Sequence, residues 1–204
     1  MLRNYSGAFY GNIPIRKALA NSLNIPAVKA LYINGIEDSI KTAHDLGDIS
    51  YCTDTSGGLS IAIGSGCTVK LIEHANTYAS LARGGVYKPL SYILEVKNGS
   101  GDVVEKWEDT SGNRVLDSQA AYMISDILSD TSARSMVFGS LGASFGFVVP
   151  GVWTATKTGT TTTNVSTVTK DSLIASYSPV VATMVWNGNH DGRGLTNSSN
   201  TVVR

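Results

Sequence analysis

The sequence predicts an α+β fold in which an antiparallel sheet is packed with helices, and three observations carry that expectation. Apolar residues recur at spacings of three and four through the first third of the chain and again after Asp117, the pattern of helices that bury one face. Asn98-Gly99-Ser100-Gly101 separates two alternating runs, a hairpin signal. Three strand-like runs then follow at Trp153 to Thr158, Leu173 to Tyr177 and Val180 to Trp186.

Taken in order, Ile15 to Ala20 reads as a short helix with Ile15, Ala18 and Leu19 on one side. Ser22-Leu23-Asn24 interrupts it, and Pro26 opens a second helix through Ile33, since proline is tolerated where a helix's first N–H groups have no internal partner. Ser22-Leu23-Asn24 is therefore expected at a corner between helices, where a side chain can point into a cleft. Glu37 to Leu46 reads as a third helix stopped by Gly47, followed by a polar loop from Asp48 to Gly58. Leu59 to Gly64 leads into a long amphipathic helix, Val69 to Arg83, ended by Gly84-Gly85. Ser91 to Val96 and Asp102 to Trp107 form the hairpin, and the helix that starts at Asp117 or Ser118 buries Ala121, Ile124, Ile127 and Leu128. A glycine-rich loop, Gly139 to Gly146, precedes the last three strands. Ser178-Pro179 links the final two strands, whose nearly continuous apolar character predicts burial on both faces.

Composition narrows the function. With 204 residues, 42% of them hydrophobic, the chain suits one core, and residues 1–204 are read as one domain. Lysine plus arginine total 16 and aspartate plus glutamate total 16, so there is no basic field for a nucleic-acid partner. No apolar stretch approaches the ~20 residues of a membrane-spanning helix, and Met1 to Tyr5 lacks a signal-peptide core. Cys52 and Cys67 have neither a CxxC pattern nor a nearby histidine pair, so no zinc site is expected. A disulfide in an oxidising compartment and two buried thiols both remain open, the thiols being the commoner outcome for such a pair. His44, His74 and His190 are scattered and read as surface or packing residues.

One tetrapeptide carries chemistry. Lys157-Thr158-Gly159-Thr160 ends a predicted strand and runs on through Thr161, Thr162 and Thr163. A cation, several hydroxyls and a glycine on a strand edge suit a bound carboxylate: the glycine admits a ligand's backbone, and hydroxyls and N–H groups donate hydrogen bonds. Lys157 together with the earlier Ser22-Leu23-Asn24 reproduces, in order, two of the three motifs Ser-x-x-Lys, Ser-x-Asn and Lys-Thr-Gly.

The flanking segments extend the match: Arg16 to Val28, Ile63-Gly64-Ser65-Gly66, Ala75-Asn76-Thr77-Tyr78-Ala79, Gly84-Gly85-Val86-Tyr87, Ala121-Tyr122-Met123 and Val185-Trp186-Asn187-Gly188. Over nearly its whole length the chain resembles the transpeptidase domain of penicillin-binding proteins of the bifunctional class A type. The resemblance implies a partial penicillin-recognising serine transpeptidase fold. It departs from the family in that no serine is followed three residues later by lysine, so the nucleophile motif is absent. A fragment of a longer protein, missing its nucleophile segment and a C-terminal helix after Arg204, is the expectation. Lys70-Leu71 stands where the family commonly has threonine and proline.

The resemblance implies acyl transfer from D-alanyl-D-alanine stem peptides in peptidoglycan cross-linking, and binding of β-lactam antibiotics in the intact protein. It gives Ser22 a proton-relay role and Asn24 a grip on substrate amide and catalytic lysine. Lys157 would meet the substrate carboxylate, Thr158, Thr160 and Thr161 would hydrogen-bond the ligand, and Gly159 would keep the edge open. The Thr160 N–H would form half of an oxyanion hole. No metal or organic cofactor is implied, and no nucleic acid. The expected location is the extracytoplasmic face of the cell membrane, with attachment through an N-terminal anchor outside this sequence. A D,D-carboxypeptidase or β-lactamase relative and a non-catalytic cell-wall binding or sensor module are the alternative readings.

Overall fold

A computed structural model describes residues 2–109, 111–139, 149–162 and 168–195. The predicted loop from Gly139 to Gly146 lies outside the described residues from position 140 onward, as do Thr163 and the chain end at Arg204. Helices occupy the first half, α1 (Ile15–Ala20), α2 (Asn24–Asn34), α3 (Ile36–Leu46) and α4 (Leu71–Ala82). Two small ribbons follow, β1 (Val86–Tyr87) with β4 (Asn113–Arg114) and β2 (Glu95–Lys97) with β3 (Val103–Lys106). Then come α5 (Ser118–Ser129), the single turn α6 (Ser135–Phe138), and a sheet of β5 (Ala155–Thr162), β6 (Thr169–Tyr177) and β7 (Ala182–Gly188). That sheet is antiparallel with order β5-β6-β7 and pairs Lys157 with Ala175 and Ala175 with Met184.

Local chemistry explains most boundaries. Pro14, at φ −61°, precedes α1, and α2 starts two residues before the expected Pro26, which sits in the first turn. Gly47 closes α3 at φ +120°, and any side chain there would meet Asn76 and the Tyr87 ring at 3.1 Å. Asp117 caps α5 by accepting the Gln119 N–H at 2.7 Å. At the hairpin tip the Asn98 carboxamide accepts from Ser100 N and Asp102 N, each at 2.9 Å, which fixes the turn.

The structure corrects four details. Gly58–Ile63 folds as a 3₁₀ helix separate from α4, which begins only at Leu71. The hairpin ladder is shorter than predicted and leaves Tyr92, Ile93 and Leu94 exposed outside it. Strand β5 runs on to Thr162, while Trp153 lies before it. The last strand is not buried on both faces: Val180 and Val181 fall in the turn, Val180 is 91% exposed, and Val185 and Trp186 on β7 remain exposed. Among the described residues β7 is an edge strand, and helix α4 packs on it, so an apolar run here does not mean two covered faces.

Among the described residues three apolar clusters hold the pieces, a small one of Ala20, Ile127 and Ala133 with Leu19 and two larger ones. Leu128 of α5, Ala155 of β5 and Tyr177 of β6 meet Leu19, Tyr78 and Leu81, and the Tyr177 hydroxyl is hydrogen-bonded with Ser125 Oγ at 2.9 Å. Leu31, Ile40 and Ile61 form the second with Cys52, which is disulfide-bonded to Cys67 at a Cα–Cα separation of 4.8 Å. The bridge closes the loop that holds the 3₁₀ segment, whose Ile61 packs with Leu31 of α2 and Ile40 of α3, and the two-thiol outcome is overturned. His74 packs edge-on to Tyr78 and hydrogen-bonds the buried Asp48, and His44 Nε2 lies 2.5 Å from the Tyr51 carbonyl oxygen. Among the described residues no helix is long and apolar enough to cross a membrane.

Candidate active site

The corner after α1 is a Schellman motif. Leu23 N donates to Ala18 O and Ser22 N to Leu19 O, both at 3.0 Å, which satisfies two carbonyls left over at the helix end. This geometry puts Ser22 in the left-handed region at φ +55°, a place glycine normally fills. Leu23 and Ala18, the apolar pair that accompanies such a motif, are both buried. Ser22 itself stays exposed, so its hydroxyl projects from the corner.

Asn21 fastens that corner to the segment around α6, which lies 112 and 116 residues further along the chain at the two contacts. Its side chain is 2% exposed; Nδ2 donates to Ala133 O at 2.7 Å and Lys17 O at 2.8 Å, and Oδ1 accepts from Val137 N at 2.9 Å. Both of its amide hydrogens and one lone pair of its oxygen go to backbone from α1 and from the segment around α6.

Strand β5 faces the corner with an edge that has no strand partner among the described residues. From it Lys157 Nζ donates to Ser22 Oγ at 2.6 Å and to Thr158 O at 2.6 Å. Two residues 135 positions apart thus meet as the sequence predicts. Part of the Lys157 side chain still meets solvent, but packed atoms surround its ammonium. That burial, and secondarily the positive charge of Arg134, push its pKa down to about 8. Among the described residues no carboxylate pairs with Lys157. An ammonium that is hydrogen-bonded to a hydroxyl and lacks an acidic partner can pass a proton to or from that hydroxyl. It can equally receive an anion.

The other expected residues fall at distinct places. Thr158 lines a narrow depression with Lys157, Thr156, Arg134, Phe138 and Ala20. Gly159 pairs with Leu173, and a Cβ there would meet Leu173 only at ordinary contact, 3.5 Å, so packing inside the protein does not demand glycine. Thr160 is exposed on the strand opposite Ser172. Thr161 donates its hydroxyl to Asp171 Oδ2 at 2.5 Å, and Asp171 Oδ1 accepts from Trp186 Nε1 at 3.0 Å, a cross-strand ladder over β5, β6 and β7. Asn24, in the first turn of α2, donates from Nδ2 to Arg3 O at 3.0 Å, so its carboxamide reaches the chain's first residues.

Two contributors escape a reading by motif, Asn21 and Arg134. Arg134 is 3% exposed and donates to Leu128 O and, at 3.0 Å, to Thr156 O, one residue before Lys157. Its setting, Ser132-Ala133-Arg134-Ser135, has the polarity of a surface turn, and nothing local marks it as buried.

A family model described as the penicillin binding protein transpeptidase domain matches residues 2–202. Curated relatives include penicillin-binding protein 2D of Bacillus subtilis, 30% identical over 91% of this chain and 25% of its own length. Penicillin-binding protein 2a of Streptococcus pneumoniae is 28% identical over 91% of this chain and 24% of its own length. The chain thus spans about a quarter of the curated relatives it matches. Among solved structures, the penicillin-binding protein PonA1 from Mycobacterium tuberculosis superposes with a TM-score of 0.82 at 24% identity, over 99% of this chain and 54% of that one. PonA1 in complex with penicillin V gives 0.81 at 24% identity, over 99% and 55%. With the match running from residue 2 to residue 202, the chain belongs to the penicillin-binding protein transpeptidase domain family.

Proposed function

We propose that this chain is the substrate-binding part of a serine D,D-transpeptidase that cross-links peptidoglycan and takes β-lactams in the same cleft. The observation that carries the reading is the Lys157 ammonium, 2.6 Å from the Ser22 hydroxyl, with no acidic partner and on a strand edge left open among the described residues. In the reaction a serine oxygen attacks the carbonyl between two D-alanines, the C–N bond breaks, and D-alanine leaves with a proton on its nitrogen. An amine on a neighbouring stem then displaces the serine from the ester.

No serine among the 204 residues has lysine three positions later, so the reading assigns the nucleophile to a segment outside them. Ser22 carries the proton toward the leaving nitrogen, a task for a hydroxyl that both donates and accepts. Lys157 binds the substrate's terminal carboxylate with hydroxyl help from Thr158 and Thr160. The Thr160 N–H supplies one oxyanion donor, and Gly159 lets the ligand's backbone lie close. Asn24 contacts the substrate amide, and Thr161 supports the strand through Asp171. The Cys52–Cys67 bridge supports an extracytoplasmic location, because such bonds persist in oxidising compartments.

The test is labelling with fluorescent penicillin. The 204-residue chain alone gives no band that survives denaturation, while a longer protein that includes a Ser-x-x-Lys segment does. In that protein Lys157→Ala slows acylation by roughly 10- to 100-fold, the size of one charge-assisted hydrogen bond. Covalent labelling of the isolated chain, or acylation at an unchanged rate in Lys157→Ala, overturns the assignment.

A further inference from the structure

Helix α2 starts without a cap of its own. Leu23, at the N-cap position, is apolar and buried, so its side chain can accept nothing from the first free N–H groups of the helix. The missing acceptor comes from 21 residues upstream: Asn4 Oδ1 accepts from Ile25 N at 3.2 Å, the bond that a serine or asparagine at the N-cap ordinarily makes. Asn4 is 5% exposed and is itself held by a short turn, in which its Nδ2 donates to Ala8 O and its carbonyl accepts from Gly7 N, both at 2.8 Å. The residue before it, Arg3, accepts from Asn24 Nδ2 at 3.0 Å. Residues 3 and 4 thus grip residues 24 and 25 by two hydrogen bonds, next to the corner that carries Ser22.

A backbone carbonyl can only accept, so the contact with Arg3 fixes which end of the Asn24 carboxamide is nitrogen. That leaves one N–H and the oxygen of Asn24 for a ligand, a pair that matches the C=O and N–H of a peptide amide. We propose that Asn4 is a positioning residue of the ligand-binding corner. It caps α2 from outside the helix, and through the carbonyl of the residue before it sets the Asn24 carboxamide in the orientation that meets a substrate amide. This role rests on the substrate contact proposed above for Asn24, and it extends that contact to a residue outside the three motifs. Asn21 then holds the corner at the end of α1, and Asn4 holds it at the start of α2.

The experiment uses the 204-residue chain with N-acetyl-D-alanyl-D-alanine, binding followed by NMR on the Asn24 side-chain amide. Asn4→Ala weakens binding by about fivefold, the scale of one lost cap, and moves the Asn24 signals before ligand is added. Asn4→Asp keeps an acceptor for the Ile25 N–H and binds within about twofold of the unmutated chain. Asn76→Ala removes a buried amide of α4 that bonds Lys88 O and not the corner, so it lowers the melting temperature and leaves binding unchanged. That comparison separates positioning from stability. If Asn4→Ala does not fold, hydrogen exchange in the unmutated chain decides: a protected Ile25 N–H supports the proposal, and one that exchanges like a free peptide overturns it. The role of Asn4 alone falls if Asn4→Ala binds within about twofold of the unmutated chain, if Asn4→Asp binds as weakly as Asn4→Ala, or if Asn76→Ala weakens binding as much. If the unmutated chain does not bind the dipeptide, the substrate-binding corner itself is wrong and this proposal falls with it.

Discussion

Ser22 occupies a backbone position that suits glycine, and that conflict can be measured. Its φ of +55° follows from the two hydrogen bonds that close α1, not from anything its side chain does. A residue with a Cβ in the left-handed region loses roughly 1–2 kcal/mol. Glycine avoids that loss but gives up roughly 0.5–1 kcal/mol of extra chain entropy. Ser22→Ala removes the hydroxyl and keeps the strain; Ser22→Gly removes both. The difference between these variants isolates the backbone, and it comes to about 0.5–1 kcal/mol in favour of glycine. For a domain of this size that is an upward shift of about 1–4 °C in Tm for Ser22→Gly over Ser22→Ala. Thermal melts followed by circular dichroism, with urea titrations alongside, read it directly. A Ser22→Gly chain that melts at or below Ser22→Ala would refute the strain argument. The corner would then relax by a route the Schellman geometry does not contain.

Three further outcomes follow from the same structure. The Lys157 pKa drops from 10.5 to about 8 on folding, so the folded chain holds fewer protons than the unfolded chain between those values. Stability relative to Lys157→Met therefore rises with pH across that window; the variant is the more stable at pH 7, by at most about 3 kcal/mol, and urea melts at pH 7 and pH 10 show the gap closing. The Cys52–Cys67 bridge closes a loop of separation 15, so reduction, or a Cys52→Ser/Cys67→Ser double variant, costs about 3 kcal/mol and roughly 6–12 °C, read by melts with and without reductant. Asn21→Ala strips two carbonyls and one N–H of their buried partner and lowers stability by about 2–4 kcal/mol, more than Asn24→Ala, whose carboxamide donates to Arg3 O at an exposed site; paired urea melts rank the two.

How much of this was readable beforehand depends on the range of the forces involved. A helix end set by neighbours in sequence, such as Gly47 after α3, was readable because the determinant lies within one turn. The 3₁₀ segment was missed because six residues, Gly58–Ile63, are too few to show a period. The exposure of β7 was missed for a different reason: an apolar run records what a strand offers to its surroundings, not whether anything covers it. The cysteine pair sat between these cases, since its spacing allowed a bridge and only the fold around Leu31, Ile40 and Ile61 brings the halves together.

The site divides along the same line. Motif order alone pointed to a meeting of Ser22 with Lys157 across 135 residues, because chemistry restricts which residue types can serve there. The residues that hold them in place carry no such restriction. Asn21 works through three hydrogen bonds from one buried amide, and Arg134 by bridging two carbonyls, tasks defined by burial and by atoms far off in sequence. A serine held at φ +55° shows the cost of combining the two kinds of demand. The helix stop asks for glycine and the lysine opposite asks for a hydroxyl, and the chain keeps the hydroxyl. Local stability is thereby given up at one backbone position, and the buried amide beside it holds the corner against relaxation.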